Sequence, residues 1–251
     1  MDTPFFSIIT ITYNAETFIE RTIQSIVGQT YPRIEYIVID GKSTDNTLQL
    51  INKYAERIAH VVSEPDSGLY DAMNKGLQRA TGDYVWFINA GDSLPTADVV
   101  ANLVMSFSEN RLPDIIYGDT AIVDVTNNFL YLRRLRPPKE LSWKSFRMGM
   151  TVCHQSFIVK RSIAPEYDLT YRFSSDFDWC IRCMKQANVI YNSGMVLSNY
   201  LEDGLTSKHH KTSLKERYKI MSVYFGEIPT FFMHGWFAFR FYFAKLFSSK
   251  K

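Results

Sequence analysis

The sequence predicts an α/β protein: an α/β/α sandwich with a mostly parallel central sheet and an aromatic helical tail. Three observations carry that prediction. Short β-branched runs alternate with amphipathic stretches across residues 5–108, polar residues gather where the runs end, and aromatic residues crowd the chain after Phe225. Strand, helix, strand, helix is the order of a parallel sheet covered on both faces, because each parallel connection needs a crossover.

Residues 5–13 (FFSIITITY) form a continuous apolar run of strand length, with Asn14 placed to cap a helix striped by Ile19, Ile23, Ile26 and Val27. IEYIVID (34–40) is a second buried strand, ending in the turn Gly41 to Asp45. Leu48, Ile51, Tyr54, Ala55 and Ile58 mark a second helix, and a short strand lies near 60–63. A third helix spans 69–80, with Leu69, Ala72, Met73, Gly76 and Leu77 on one face. DYVWFIN (83–89) is another central strand, and 96–108 a further amphipathic helix. Segments 114–124 and 128–135 read as a strand pair, before Pro137 and Pro138 open a mixed region. In such sheets ligands bind beyond the carboxyl ends of the strands. Thr12, Tyr13, Asn14, Asp40 and the turn Asn89 to Asp92 stand there.

Composition narrows the function classes. At 251 residues the chain holds one core plus an appendage, and 15% aromatic residues exclude a disordered chain. Three cysteines, Cys153, Cys180 and Cys183, give no disulfide framework and suit a reducing compartment. With no signal-peptide pattern and no bilayer-length apolar run, a cytoplasmic protein is expected. Residues 1–204 carry 19 basic against 24 acidic side chains, whereas 205–251 carry 9 against 2. An acidic body with a basic, aromatic tail points to an anionic membrane surface rather than nucleic acid, which would meet a few exposed stacking rings. A helix over 231–247 measures about 25 Å and is interrupted by His234 and Arg240, too short to span comfortably. A helix buried against the body or a second subunit is the alternative. G-x-G-x-x-G after the first strand, a P-loop, G-x-S-x-G and H-E-x-x-H are all missing.

Four segments in order resemble the family-2 glycosyltransferases, inverting enzymes of GT-A fold with a Rossmann-like sandwich. They are Ser7-Ile-Ile-Thr-Ile-Thr-Tyr-Asn14, Ile37-Val-Ile-Asp-Gly-Lys-Ser-Thr-Asp-Asn-Thr47, Gly68-Leu-Tyr-Asp-Ala-Met-Asn-Lys-Gly76 with Ala80 to Asp83, and Phe87-Ile-Asn-Ala-Gly-Asp92. The third is especially close to the branch that builds bacterial exopolysaccharide and O-antigen repeats. The resemblance implies a glycosyltransferase domain over 1–210, with a nucleotide-binding half to about 110 and an acceptor-binding half from 111, followed by the tail 211–251. It implies a nucleotide-sugar donor, uridine-linked above all, and a polyprenyl-diphosphate-linked saccharide acceptor. Thr12, Tyr13, Asn14, Asp40, Asn74 and Lys75 would then bind the nucleotide. Asp92 would hold Mg²⁺ or Mn²⁺, helped by Asn89, which stands where an Asp is usual, and by His209. His154 and Gln155 would lie beneath the acceptor, with a core histidine as the alternative for His154.

The segment Ser174-Ser-Asp176-Phe-Asp178-Trp-Cys-Ile-Arg182 resembles the family's base-bearing element, with Ser175 in place of a Glu. An inverting transfer needs a carboxylate to take the acceptor proton. Asp176 and Asp178 lie about 200° apart on a helix at ~100° per residue, so only one can face substrate. Phe177, Ile181 and Met184 make the buried stripe, and Asp176, at the first turn, is the expected base. Cys180 and Cys183 lie in a helical pattern and read as packing. A nucleotidyltransferase would want a basic loop near 12–22, where only Arg21 is found. A non-catalytic membrane-bound sugar-nucleotide binder would not need Asp176.

Overall fold

The computed structural model describes residues 3–107, 112–202 and 210–248, with side chains of the last helix described through Phe237 and at Phe239. In chain order the elements are β1 (Phe6–Thr12), α1 (Ile19–Val27), β2 (Ile34–Asp40), α2 (Thr47–Asn52), β3 (His60–Ser63), α3 (Leu69–Arg79), β4 (Tyr84–Phe87) and α4 (Val99–Met105). Then follow β5 (Ile115–Val123), β6 (Phe129–Leu132), β7 (Phe157–Lys160), α5 (Ser175–Gln186), β8 (Ile190–Leu201), α6 (His210–Phe225) and α7 (Glu227–Ser248). Short 3₁₀ turns fill Ala55–Arg57, Trp143–Met148, His154–Ser156 and Arg161–Ile163.

Among the described residues eight strands form one sheet, ordered β3-β2-β1-β4-β7-β5-β6, with β8 along the other edge of β5. β1 to β4 are mutually parallel where they pair, as expected from their crossovers. β7 runs antiparallel to both β4 and β5. Because β8 runs parallel along β5, β7 and β6 share its remaining edge, pairing with its first and second halves respectively.

Alternation along β1 separates two cores. Phe6 and Ile8 pack with Ile19, Ile23, Val38, Trp86, Val99 and Leu103 on one face. Ile9 and Ile11 pack with Ile39, Met73, Phe87, Phe177 and Trp179 on the other. The three-layer sandwich therefore stands, and α3 and α5 lie together on the second face. α3 lies close against β1 at Gly76, where an added Cβ would come within 2.6 Å of Ile9 Cγ2.

Several expectations change in detail. Asn14 does not cap α1; the helix begins at Ile19, and Asn14 adopts a left-handed φ of 46° that lets its side chain reach the β2 turn. The second helix splits after Asn52 into α2 and a 3₁₀ turn, and α4 is shorter than 96–108. The tail is two helices, broken at Gly226 with φ 87°. α6 is docked on the body. Its Ser213 meets Ser174 at 3.0 Å, and its Glu216 accepts the backbone N–H groups of Arg172 and Phe173 at 2.9 and 2.8 Å. Further along, Tyr224 donates to Asp178 at 2.7 Å and Phe225 stacks on Trp143. No helix of the described residues is long and apolar enough to cross a membrane.

The close approach at Gly76 gives a direct test. Gly76→Ala overpacks the α3–β1 contact against an immobile Ile9, so urea unfolding should show a loss of about 1–3 kcal/mol. An unchanged midpoint would mean that α3 does not sit this close to the sheet.

Candidate active site

The parallel register sets Thr12 beside Asp40 and Asp40 beside Ser63, lining three strand ends along one edge. Asp40 is fully buried. Its Oδ2 accepts from the Ser63 hydroxyl at 2.6 Å and the Ser43 N–H at 3.1 Å, while Oδ1 accepts from the Ser43 hydroxyl. An imide N–H could exchange with a serine hydroxyl there at little net cost, because one hydrogen bond replaces another. Tyr13 is 63% exposed, and both its ring and the Asp66 carboxylate lie against Gly41. An open aromatic face beside a buried carboxylate can hold a nucleobase by stacking and by its edge. Asn14 joins the two loops: its N–H donates to Ser43 at 2.8 Å and its Oδ1 accepts from the Thr44 N–H at 2.9 Å.

Asn74 and Lys75 are occupied otherwise. Asn74 is buried and clamps the backbone of Tyr167 in both directions, at 3.0 and 2.7 Å. Lys75 donates to the Pro65 carbonyl at 2.7 Å and pairs with Glu64 at 3.1 Å and Asp71 at 3.8 Å. Lys75 thus braces the loop before α3, and Asn74 braces the segment before α5.

The turn after β4 is held from two sides. Thr22 of α1 donates to the Asp92 carbonyl at 2.6 Å and accepts the Gly91 N–H at 3.0 Å. The Arg21 guanidinium donates to the carbonyls of Gly91 and Val125. Asp92 itself is turned inward. Its Oδ1 accepts the Leu201 N–H at 3.1 Å and its Oδ2 the Gln155 amide at 2.9 Å. Burial pushes its pKa up to about 7, with those two donors and Arg21 pulling the other way. Mg²⁺ and Mn²⁺ want unprotonated carboxylate oxygens with room for water. Nearby, the Asn89 Oδ1 and Thr12 Oγ1 atoms are buried without a partner, but both are neutral oxygens. Among the described residues no three His, Cys, Asp or Glu side chains group as a cation site. His209 lies outside the described residues. The described donors thus do not fit a divalent cation held by Asp92.

Asp176 is the one residue between Ser174 and Ile181 that is not buried. Its Oδ1 accepts from the Tyr70 hydroxyl at 3.0 Å and from the Phe177 N–H at 2.9 Å, and Oδ2 has no partner among the described residues. Tyr70 is held well above the usual phenol range by burial and by the Asp176 charge, so it remains a donor. Asp178 faces the other way, taking Arg182 Nε at 2.6 Å and Tyr224 at 2.7 Å. Sequence reasoning missed Tyr70, Ser43 and Ser63. For Tyr70 the available signal was a tyrosine beside, not on, the apolar face of its helix.

His154 is a core histidine. It is enclosed by Phe87, Tyr167 and Trp179, with Nε2 2.7 Å from the Tyr167 hydroxyl. Gln155 is likewise buried and serves Asp92, so neither side chain faces an open acceptor site.

A parallel strand edge bearing Thr12, Asp40 and Ser63, in a sheet covered by helices on both faces, defines a protein of the α/β sandwich class. The chain belongs to glycosyl transferase family 2, whose model matches residues 7–167. It is 34% identical over 212 residues to a PGL/p-HBAD biosynthesis glycosyltransferase of Mycobacterium bovis, covering 81% of this chain and 79% of that one. A putative teichuronic acid biosynthesis glycosyltransferase, TuaG of Bacillus subtilis, is 42% identical over 92 residues, 36% of each chain. Among solved structures, S. aureus TarS 1–349 in complex with UDP-GlcNAc superposes with a TM-score of 0.72 at 19% identity, over 87% of this chain and 65% of that one. A mannosyltransferase from Pyrobaculum calidifontis, in complex with GDP-Man and Mn²⁺, gives 0.61 at 19% identity, over 86% and 63%. These structural likenesses establish the GT-A-like fold.

The enclosed imidazole yields a pH prediction. Burial lowers the His154 pKa from 6.5 to about 4. Between those values the unfolded chain takes a proton that the folded chain refuses, so this group's contribution is present above pH 6.5 and lost as pH falls towards 4. Stability of His154→Gln, followed by urea midpoint from pH 7 to 4, should therefore decline less steeply than wild type. Parallel curves would place the imidazole in solvent.

Proposed function

We propose that this glycosyltransferase moves a sugar, with inversion, from a nucleotide-sugar donor to a lipid-linked saccharide in the assembly of a bacterial surface polysaccharide. The observation that carries the reading is Asp176: the accessible carboxylate of an otherwise buried helical turn, with one oxygen fixed by Tyr70 and the other without a partner among the described residues. In the reaction, the free Oδ2 takes the proton of an acceptor hydroxyl as that oxygen attacks the anomeric carbon. The bond from that carbon to the diphosphate breaks on the opposite face, and its electron pair leaves with the nucleoside diphosphate. Tyr70 keeps the carboxylate in one orientation, so proton transfer does not wait on its rotation.

Asp40, with Tyr13 beside it, is the proposed base-binding group, and Thr12 and Asn14 shape the edge around it. The UDP-GlcNAc complex of TarS supports a uridine diphosphate donor, and the names of the Mycobacterium and Bacillus relatives support glycan assembly. The nucleotidyltransferase alternative is disfavoured because Arg21, the cation of residues 12–22, is committed to carbonyls of the protein.

For the acceptor's location, α7 offers an aromatic stripe. Ile228, Phe231, Phe232, Trp236 and Phe239 are exposed at helical spacing, whereas Thr230, Met233, His234 and Phe237 turn inward. An interfacial helix on an anionic leaflet fits such a face, and a lipid-linked acceptor would be met there.

Calorimetry tests the reading. UDP should bind wild type with or without Mn²⁺, and Asp40→Ala should weaken it at least tenfold. Asp176→Asn should bind UDP normally yet lose about 10²–10⁴-fold in transfer rate. Absence of nucleotide binding under all conditions would end the transferase reading, and full function of Asp176→Asn would favour a non-catalytic binder. Separately, wild type should co-sediment with vesicles containing phosphatidylglycerol, and a variant with Phe231, Phe232 and Trp236 all changed to Ser should remain in the supernatant. Equal partitioning of the two would assign the stripe to a protein contact.

A further inference from the structure

A nucleoside diphosphate is an anion, and the strand edge proposed to receive it is acidic. The loops that follow β1 to β4, residues 12–18, 40–47, 63–68 and 88–94, carry Glu16, Asp40, Asp45, Glu64, Asp66 and Asp92. Against these carboxyl groups the four loops hold a single basic residue, Lys42. The cations of the adjoining helices are engaged elsewhere. Lys75 is tied to Pro65, Glu64 and Asp71, and Arg21 to the carbonyls of Gly91 and Val125. An acidic rim repels a phosphate unless a cation meets it.

Lys42 stands inside the turn that builds the base-binding group. The Gly41 N–H donates to the Thr12 carbonyl at 2.9 Å, and Ser43 turns back to give both its N–H and its hydroxyl to Asp40. The Asn14 N–H closes the arrangement by donating to the Ser43 hydroxyl at 2.8 Å. For this reversal Lys42 takes a left-handed φ of 63°. Glycine holds such a φ without steric cost, and Asn holds it more readily than lysine does. The turn therefore explains the backbone conformation but not the choice of a lysine. The neighbouring carboxylates do not explain it either. Asp40 is filled by Ser43 and Ser63, Asp45 accepts the N–H groups of Thr47 and Glu16, and Asp66 accepts that of Gly68. Lys42 is exposed, and its ammonium has no hydrogen bond or ion pair among the described residues. A non-glycine residue kept at an unfavourable φ, with its charge unspent, marks a functional position.

Both immediate neighbours of Lys42 touch the groups assigned to the base. An added Cβ on Gly41 would stand 3.4 Å from the Tyr13 ring, and Ser43 is bonded to Asp40. We propose that Lys42 is a donor-binding residue, its ammonium giving a hydrogen bond to an oxygen of the nucleotide seated on Tyr13 and Asp40. The inference rests on the transferase reading above and adds to it a residue for which that reading has no role. Two oxygens of the ligand share the required chemistry: a keto oxygen beside the imide N–H that Asp40 takes, and a phosphate oxygen. A four-carbon stem with three rotatable donors suits either.

The test is calorimetry on the full chain with UDP and uridine, comparing wild type with Lys42→Asn, Lys42→Gly and Lys42→Arg. Asn and Gly suit the left-handed turn, so a urea midpoint for Lys42→Asn no lower than wild type shows that the turn is intact. Both neutral variants should bind UDP about fivefold or more weakly, as expected for losing a hydrogen bond from a charged donor. Lys42→Arg, which keeps the charge, should restore most of the affinity. The gap between wild type and Lys42→Asn should also narrow as sodium chloride is raised, because salt screens an exposed charge. A loss already present with uridine assigns the contact to the keto oxygen; a loss confined to UDP assigns it to the phosphate. The proposal alone is overturned if wild type binds UDP and both neutral variants bind it within about twofold of wild type, or if Lys42→Arg binds no better than Lys42→Asn. Failure of wild type to bind either uridine or UDP would overturn the transferase reading and this inference together.

Discussion

The buried carboxylate of Asp92 joins three parts of the chain that sequence keeps far apart. It lies in the turn after β4, accepts the backbone of Leu201 at the end of β8, and accepts Gln155 from the turn before β7. Removing one donor would leave a desolvated carboxylate under-satisfied, so all three segments are held together or not at all. The same turn is gripped by Thr22 and Arg21 of α1. The parallel half of the sheet and its antiparallel continuation thus meet around one carboxyl group. That junction fixes where the end of β4 stands relative to the end of β8.

On the opposite face an aromatic wall performs the corresponding task for Asp176, the proposed base. Tyr70 stacks on Tyr167, and Tyr167 stacks on Trp179 with centroids 4.9 Å apart. Phe87 meets both Tyr167 and Trp179 edge-on. Asn74 locks the Tyr167 backbone from within α3, and Gly76 lets that helix press onto β1. The Tyr70 hydroxyl therefore arrives at Asp176 with little freedom to wander. Rigid surroundings of this kind are what keep a general base in one productive orientation.

The C-terminal helices extend this arrangement outward. Asp178, two residues from Asp176, holds α6 through Tyr224, so one turn of α5 leaves one carboxylate unburied and gives the other to the scaffold. α7 then folds back on its inward face while exposing aromatic side chains on the other.

The sequence by itself determined β1 to β4, α1 and α3, because their signals are local: period-two or continuous apolar runs, helical stripes and turn residues. It also distinguished Asp176 from Asp178, since helical geometry separates neighbours two apart whatever the surrounding fold. It did not reveal β7, a four-residue strand inserted antiparallel between β4 and β5, nor β8, whose partner lies some seventy positions upstream. Those pairings are non-local, and their short, mixed segments carry no period of their own. The tertiary structure alone decided what the polar residues do. Asp92, Asn74, Lys75, Gln155 and His154 sit in or beside the motifs yet turn into the protein, while Tyr70 reaches across to Asp176, 106 residues further along the chain. A motif fixes which residue stands at a strand end or on a helix. Which way its side chain is satisfied depends on donors and acceptors from distant segments, and only folding brings those within reach.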